Sequence, residues 1–290
     1  MYFDERAVNA VRERLADPAS ETLFEGRLSY SEYGDEEVLG RALADYFRTA
    51  GAGARADSPE LFALMDAAFE KGYGRDRAVM ATERQDRFFR GLGAAPEPFT
   101  DIYDCYFASG IISLSPDEEF VDGGAQDLFT SFRFARKARG RYRAIYAFEP
   151  DTRNYVECAG NRELFDGRLH LYKLALSDRA ASLPFLEDRQ NSRIDERGGY
   201  EVFADTLDHC LADARPSFIK LHLEGGELAA LRGAEGIIRR NSPKVAVCLD
   251  HRPGDIVDIP ALLLSYNPDY RFRLRHYSSS ITETILYATT

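Results

Sequence analysis

FVDGGAQDLFTSF, residues 120–132, runs from an apolar β-type segment through two glycines into a helical pattern. Glycine at a strand's end permits a tight turn and lets a ligand approach the backbone, because no Cβ stands in the way. The next β-type run, RAIYAFEP (143–150), ends with Glu149, about 25 residues past Gly124. An acid at that place suits hydrogen bonds to both hydroxyls of a ribose. Strand, glycine turn and second-strand acid together point to an adenosine-type ligand. The glycine turn alone reads equally well as an ordinary strand–turn–helix.

Outward from this unit, β-type and helical runs alternate. The other expected strands are EEFVDGG (118–124), LHLYKLALS (169–177), SFIKLHLEG (217–225) and KVAVCLDH (244–251). Alternation of this kind predicts an α/β, Rossmann-like parallel sheet with helices on both faces. YRFRLRHYSS (270–279) and TETILYAT (282–289) predict a C-terminal antiparallel hairpin that completes the sheet. SLPFLED (182–188) reads as one more β segment. Upstream the period is helical. Val8, Val11 and Leu15 form a stripe, and Asp17-Pro18 and Ser58-Pro59 look like caps followed by proline at the first helical position. Residues 1–95 therefore read as a helical N-terminal region serving as lid, packing element or dimerisation surface. GLGAAPEP (91–98) reads as a linker, and 96–290 as the Rossmann-like domain.

Composition narrows the partners. The 290 residues carry 37 Lys and Arg against 48 Asp and Glu, a net charge of -11, which disfavours phosphate backbones and anionic lipid. Neither nucleic acid nor membrane is expected as a partner. No apolar run reaches the ~18 residues of a spanning helix, and MYFDERAVNAVRERL lacks the basic-then-apolar order of a signal peptide. A cytoplasmic protein is expected, with Cys105, Cys158, Cys210 and Cys248 as reduced thiols, since their spacing fits no zinc pattern.

The ligand follows from what the glycine loop lacks. With Gly124 as the second glycine of G-x-G-x-x-G, Asp122 takes the first place and Asp127 the third, and a carboxylate beside a pyrophosphate is repulsive. S-adenosylmethionine carries no phosphate but does carry a sulfonium and an ammonium, so Asp122 and Glu149 suit it.

Several segments together resemble the FkbM family of S-adenosylmethionine-dependent methyltransferases: FVDGGAQD, YAFEPD, LALSD, FADTLDHCL and FIKLHLEGGELAALRGAEGIIRRNSPKVAVCL, spanning about 118 to 250. The resemblance implies a class I methyltransferase sheet with a terminal hairpin and methyl transfer to oxygen, often on sugars or small metabolites. It implies a cofactor loop at Asp122, Gly123, Gly124 and Ala125, a ribose-binding acid at Glu149 followed by Pro150, and a segment beside the adenine from Leu176 and Ser177 to Asp178. Glu224 and Gly225 match the "EG" after the fourth strand. Leu128 stands where the family usually has a second loop glycine, His222 where it has aspartate, and Gly226 where it commonly has alanine.

Ligands of open α/β sheets bind outside the carboxyl ends of the strands. Alternation predicts Lys220, His222 and Glu224 on one face, with His222, Glu224 and His251 at the rim and His276 near it. His222 or Glu224 is the expected base for the acceptor's hydroxyl, with His251 holding the acceptor. Singly, each histidine also reads as a hydrogen-bonded structural residue. Zinc or manganese on His222, Glu224 and His251 is conceivable chemically, but no diagnostic spacing supports it, so no metal is expected. Lys220 is expected as a paired, buried lysine. Asn191 and Ser192 are weaker candidates for the pocket wall. Phe99, Tyr103, Tyr106 and Phe107 read as core packing or as a lid. A S-adenosylmethionine-binding module without catalysis and a nicotinamide-dependent Rossmann enzyme are the competing readings, the latter disfavoured by Asp122 and the missing glycine. A small-molecule or saccharide acceptor is expected, and a homodimer is open.

Overall fold

A computed structural model describes residues 3–33, 42, 102–188, 192–277 and 282–290. The expected linker, the helical runs between 43 and 90, Phe99 and Asn191 lie outside the described residues.

In chain order the helices are α1 (Glu5–Arg12), α2 (Pro18–Tyr33), α3 (Phe129–Lys137), α4 (Thr152–Gly160), α5 (Leu207–Cys210), α6 (Glu227–Arg232), α7 (Glu235–Asn241) and α8 (Asp255–Tyr266). The strands are β1 (Glu119–Gly123), β2 (Ala144–Phe148), β3 (Leu169–Tyr172), β4 (Ala175–Leu176), β5 (Ala181–Leu186), β6 (Arg193–Ile194), β7 (Tyr200–Asp205), β8 (Phe218–Leu221), β9 (Lys244–Cys248), β10 (Arg271–His276) and β11 (Thr284–Thr289). Seven strands form the main sheet in the order β10-β11-β9-β8-β1-β2-β3. β1, β2, β3, β8 and β9 pair in parallel, while β11 runs antiparallel to both β9 and β10. This is the α/β sheet with terminal hairpin that the alternation predicts, in the strand arrangement of class I methyltransferases.

Period-two alternation sorts the strand residues between two apolar layers. Val121, Ile219, Leu221, Val245 and Val247 face α1, α2, α6, α7 and α8, whereas Phe120, Phe218, Ala246 and Cys248 face α3 and the 3-10 helix Ile102–Phe107. LHLYKLALS divides, against expectation. β3 ends the main sheet, while β4 starts a second sheet, β4-β7-β5-β6, with its own core of Ala175, Phe185, Val202 and Ala204. β8 stops at Leu221, so the alternation drawn through Glu224 does not continue.

The N-terminal helices share the main core, since Val8, Val11, Leu23 and Phe24 are buried within it. The Asp4 carboxylate caps α1 at the amide of Arg6, and Asp17 caps α2 by accepting from the amide and hydroxyl of Ser20. Between them, Ala16 donates to Phe272 and Phe272 to Arg14, so this segment covers the open edge at β10.

Candidate functional site

The strand order reverses direction between β1 and β8, and there a doubly wound sheet opens a crevice. The loops leaving these strands touch. The amide of His222 donates to the Gly123 carbonyl at 3.1 Å, and a Cβ on Gly124 would stand 2.1 Å from the His222 carbonyl oxygen. Gly124 has φ +77, which a side chain rarely tolerates. Glycine is thus required there twice over, by conformation and by approach.

Glu149 follows β2 and is buried. Its carboxylate accepts from the amides of Gln126 at 2.8 Å and Asp151 at 2.9 Å. Burial pushes it up to about 7, against the pull of those two amides and with the charge of Asp151 adding to the rise. Pro150 is half-buried beside it, and Ala125 is buried, its amide on the Phe148 carbonyl. Leu176 lies under Gly123, with a Cδ1 that would be 3.0 Å from a Cβ there. Ser177 turns its amide to Asp205 and packs against Gly233. Gly123, Gly124, Ala125, Glu149, Pro150 and Leu176 therefore meet at one end of the sheet, with Ser177 one step further out.

Asp122 departs from the expectation that its charge faces the ligand. It is 0% exposed. One oxygen takes Lys220 Nζ at 2.9 Å and the other the Ser131 hydroxyl at 2.7 Å. The cause is register: Asp122 pairs with Lys220 across β1 and β8. Lys220 also donates to the carbonyls of Gly123 and Gly124 at 3.1 and 2.9 Å, so it is the paired, buried lysine expected, and the pair anchors the glycine turn from beneath. Leu128 is buried in the layer of Phe120 and Phe134.

His222, Glu224 and His251 meet at the rim. Glu224 sits between the imidazoles, 3.2 Å from His222 Nε2 and 3.4 Å from His251 Nε2. It holds a left-handed backbone, φ 51. On the far sides, the Tyr106 hydroxyl lies 2.6 Å from His222 Nδ1, and Glu227 lies 2.8 Å from His251 Nδ1. Glu227 is fully buried and accepts from the amides of Leu223 and Gly225. Burial raises the Glu224 carboxyl, but hydrogen bonds from His222 and His251 outweigh it and hold the group down at about 2. Burial lowers His251, yet Glu224 and Glu227 push it up to about 11, so its imidazole carries a charge. Asp255 is raised to about 7, by burial first and by Glu227 second.

His276 is not in this cluster. It is buried with Nδ1 on the Thr284 hydroxyl at 2.8 Å. Thr284 in turn donates its amide to Asp250, which pairs with Arg27 of α2 at 2.7 Å. Ser192 bonds Asp151 at 2.7 Å, behind Glu149. Tyr106 and Phe107 are both core, and Tyr106 also reaches the rim through its hydroxyl. Sequence reasoning missed Tyr106, Glu227 and Arg27 as neighbours of the rim. Glu227 had a signal in its place in the EGGE run, and Tyr106 had one in its aromatic body, which reads as core or lid.

A seven-stranded, mostly parallel sheet with β11 reversed inside its edge, and a glycine turn and acid at the switch point, defines a class I methyltransferase fold. Residues 122–274, more than half of the chain, match the family described as the methyltransferase FkbM domain, and the chain belongs to that family. A crystal structure of methyltransferase FkbM from Methylobacillus flagellatus KT is similar over 98% of this chain and 58% of that one, at 21% identity and a TM-score of 0.63. The chain thus spans little more than half of that protein's length. A weaker likeness, at 15% identity and a TM-score of 0.39, covers 67% of this chain and 96% of an rRNA methylase from Streptococcus thermophilus. No curated protein sequence matches significantly. Among the described residues no helix is long and apolar enough to cross a membrane.

Proposed function

We propose that this chain is a S-adenosylmethionine-dependent methyltransferase acting on a hydroxyl of a sugar or of a small or glycosylated metabolite. The observation that carries this reading is the meeting, at one switch point, of a glycine turn no side chain could occupy, a buried second-strand acid and a rim of paired histidines and carboxylates. The cofactor suits these residues. Gly123, Gly124 and Ala125 offer bare backbone, Glu149 a carboxylate for the ribose, and Leu176 an apolar neighbour for the adenine. A carboxylate-rich site favours a cationic ligand over a pyrophosphate.

When bound, the cofactor supplies an electrophilic methyl carbon, so that a C–O bond forms as the C–S bond of the sulfonium breaks to leave a thioether. The chain's own part is alignment and proton handling. The hydroxyl proton passes to His222, where the ionised Glu224 stabilises the resulting imidazolium. His251, set between Glu224 and Glu227, fixes the Glu224 carboxylate beside the acceptor.

Calorimetry with S-adenosylmethionine, S-adenosylhomocysteine and NAD tests the ligand, and micromolar binding of the first two without the third is expected. Labelled cofactor with a panel of saccharide acceptors tests the reaction. His222→Ala should cut turnover roughly 10²- to 10⁴-fold while cofactor affinity stays within about twofold. A collapse of affinity would remove His222 from its role. A second reading, a binding module of the same fold without catalysis, is favoured by Leu128 and His222 standing at positions where relatives are expected to carry glycine and aspartate. Cofactor binding without transfer to any acceptor is its signature.

A further inference from the structure

We propose that His222, His251 and Cys248 form a divalent-metal site with its fourth position open beside Glu224, and that zinc is the cation best suited to the donors. The ligand atoms of His222, Cys248 and His251 all lie within 4.8 Å of one another. Glu224 bridges the two Nε2 atoms at 3.2 and 3.4 Å. Tetrahedral zinc with bonds of about 2.1 Å has ligand–ligand edges of about 3.4 Å, so three donors already within 4.8 Å of one another have little distance to close around one cation.

The outward nitrogens strengthen the assignment. A metal-binding histidine typically has its other ring nitrogen tied to a carboxylate or another polar partner, which fixes tautomer and ring orientation. Here Nδ1 of His222 meets the Tyr106 hydroxyl in a hydrogen bond of 2.6 Å, and Nδ1 of His251 stands 2.8 Å from Glu227 as an ion-pair contact. Glu227 is held rigidly in turn by the amides of Leu223 and Gly225. Both Nε2 atoms are left to face the same carboxylate, and Glu224 adopts a left-handed backbone at the point where it turns toward them. Cys248 comes from the end of β9, on the β9 face that carries Ala246. Its thiol donates to the Asp250 carboxylate at 3.3 Å.

Two imidazoles and a thiolate select zinc over magnesium or calcium, which prefer all-oxygen sites. Binding releases the Cys248 thiol proton and the second imidazole proton of His251 to solvent. Metal binding stands on the side-chain geometry alone; its role in catalysis rests on the methyl-transfer reading. In that role a cation with its fourth position open would polarise the acceptor hydroxyl, taking the place of proton transfer to His222.

The test uses the full chain, stripped by chelator and titrated with Zn²⁺ and then Co²⁺ in the absence of cofactor. One equivalent should bind. The Co²⁺ form should show the intense visible bands of a tetrahedral site and a thiolate-to-metal charge-transfer band in the near ultraviolet. Cys248→Ser should abolish the charge-transfer band, and His251→Ala should weaken zinc binding at least 100-fold. Glu227→Gln, which reaches the site only through His251 Nδ1, should weaken it about 10- to 100-fold. A Co²⁺ spectrum like that of the aqueous ion, or zinc binding indifferent to Cys248→Ser and His251→Ala, overturns the proposal. If His251→Ala fails to fold, the Co²⁺ spectrum of the unaltered protein decides. A chain that binds S-adenosylhomocysteine but no metal sinks this site alone, and one that binds metal but no S-adenosylhomocysteine sinks the proposed function alone.

Discussion

Leu128 holds φ 68 at the start of α3, a conformation that costs an L-residue roughly 1–2 kcal/mol, yet it is 1% exposed. Full burial of a leucine contributes about 2–3 kcal/mol, so packing outweighs strain and explains how a leucine fills a place where glycine was expected. Leu128→Ala should therefore cost about 2–4 kcal/mol in urea denaturation. Leu128→Gly should cost no more than that, because release of the left-handed strain offsets glycine's larger unfolded-state entropy. A glycine variant clearly weaker than the alanine one would show that the strain is not stored there. Gly124 is the converse case. Gly124→Ala sets a methyl 2.1 Å from the His222 carbonyl at φ +77, and should lose about 2–4 kcal/mol together with at least tenfold in S-adenosylhomocysteine affinity by calorimetry. The glycines and Glu149 were legible because their roles are set by neighbours in sequence. Asp122 was misjudged because its partner Lys220 lies across a strand pairing that local reading does not reveal. Tyr106 was half-legible: its aromatic body predicts burial, while its hydroxyl's contact with His222 depends on how the chain ahead of β1 folds back.

Strands were legible from short apolar runs in β1, β2, β8, β9 and β11, and from strict alternation in β10, RFRLRH. LHLYKLALS looked continuous because nothing in its composition marks the step from one sheet to another at Lys173 and Leu174. β6 is two residues long, and YEVFAD of β7 carries two acids, so neither stood out. The Asp17-Pro18 pair marked the start of α2 and its cap, but not the helix's reach toward the rim. Arg27 and Asp250 form an ion pair with side chains 6% and 1% exposed, joining the N-terminal helix to the loop that carries His251. Removing one member of such a pair strands a buried charge. Arg27→Met should thus destabilise by about 3–5 kcal/mol, and adding Asp250→Asn should recover part of that loss. A double-mutant cycle in denaturant measures the coupling. A coupling near zero would mean that α2 is held by its apolar face alone.

Across the whole molecule, acids outnumber bases by 48 to 37, and two buried acids add a pH dependence of their own. Glu149 and Asp255 both stand at about 7 in the fold, against ordinary values of 4.5 and 3.8, with burial the leading cause in each. The unfolded chain gives up these protons near the ordinary values, whereas the folded chain keeps them until near neutrality. Between those limits the native state binds more protons, so stability falls as pH rises from about 4 to 7. The opposite sign belongs to Asp17 and Glu118, which burial raises but which hydrogen bonds led by Arg275 and Lys244 hold below the usual range. Their contribution is present above the ordinary carboxyl value and is lost on acidification. Glu224, held at about 2, acts in the same sense as these two, so the decline toward neutrality belongs to Glu149 and Asp255, and growing negative charge reinforces it. Each buried acid should contribute on the order of 2–3 kcal/mol to the decline, a shift of several degrees in Tm for a chain of this size. Scanning calorimetry of chelator-treated protein from pH 4 to 8 measures it, and Glu149→Gln and Asp255→Asn should each flatten the profile between 5 and 7. A profile that climbs through that interval, or one that neither substitution flattens, would mean that both carboxylates reach water and titrate as exposed groups do.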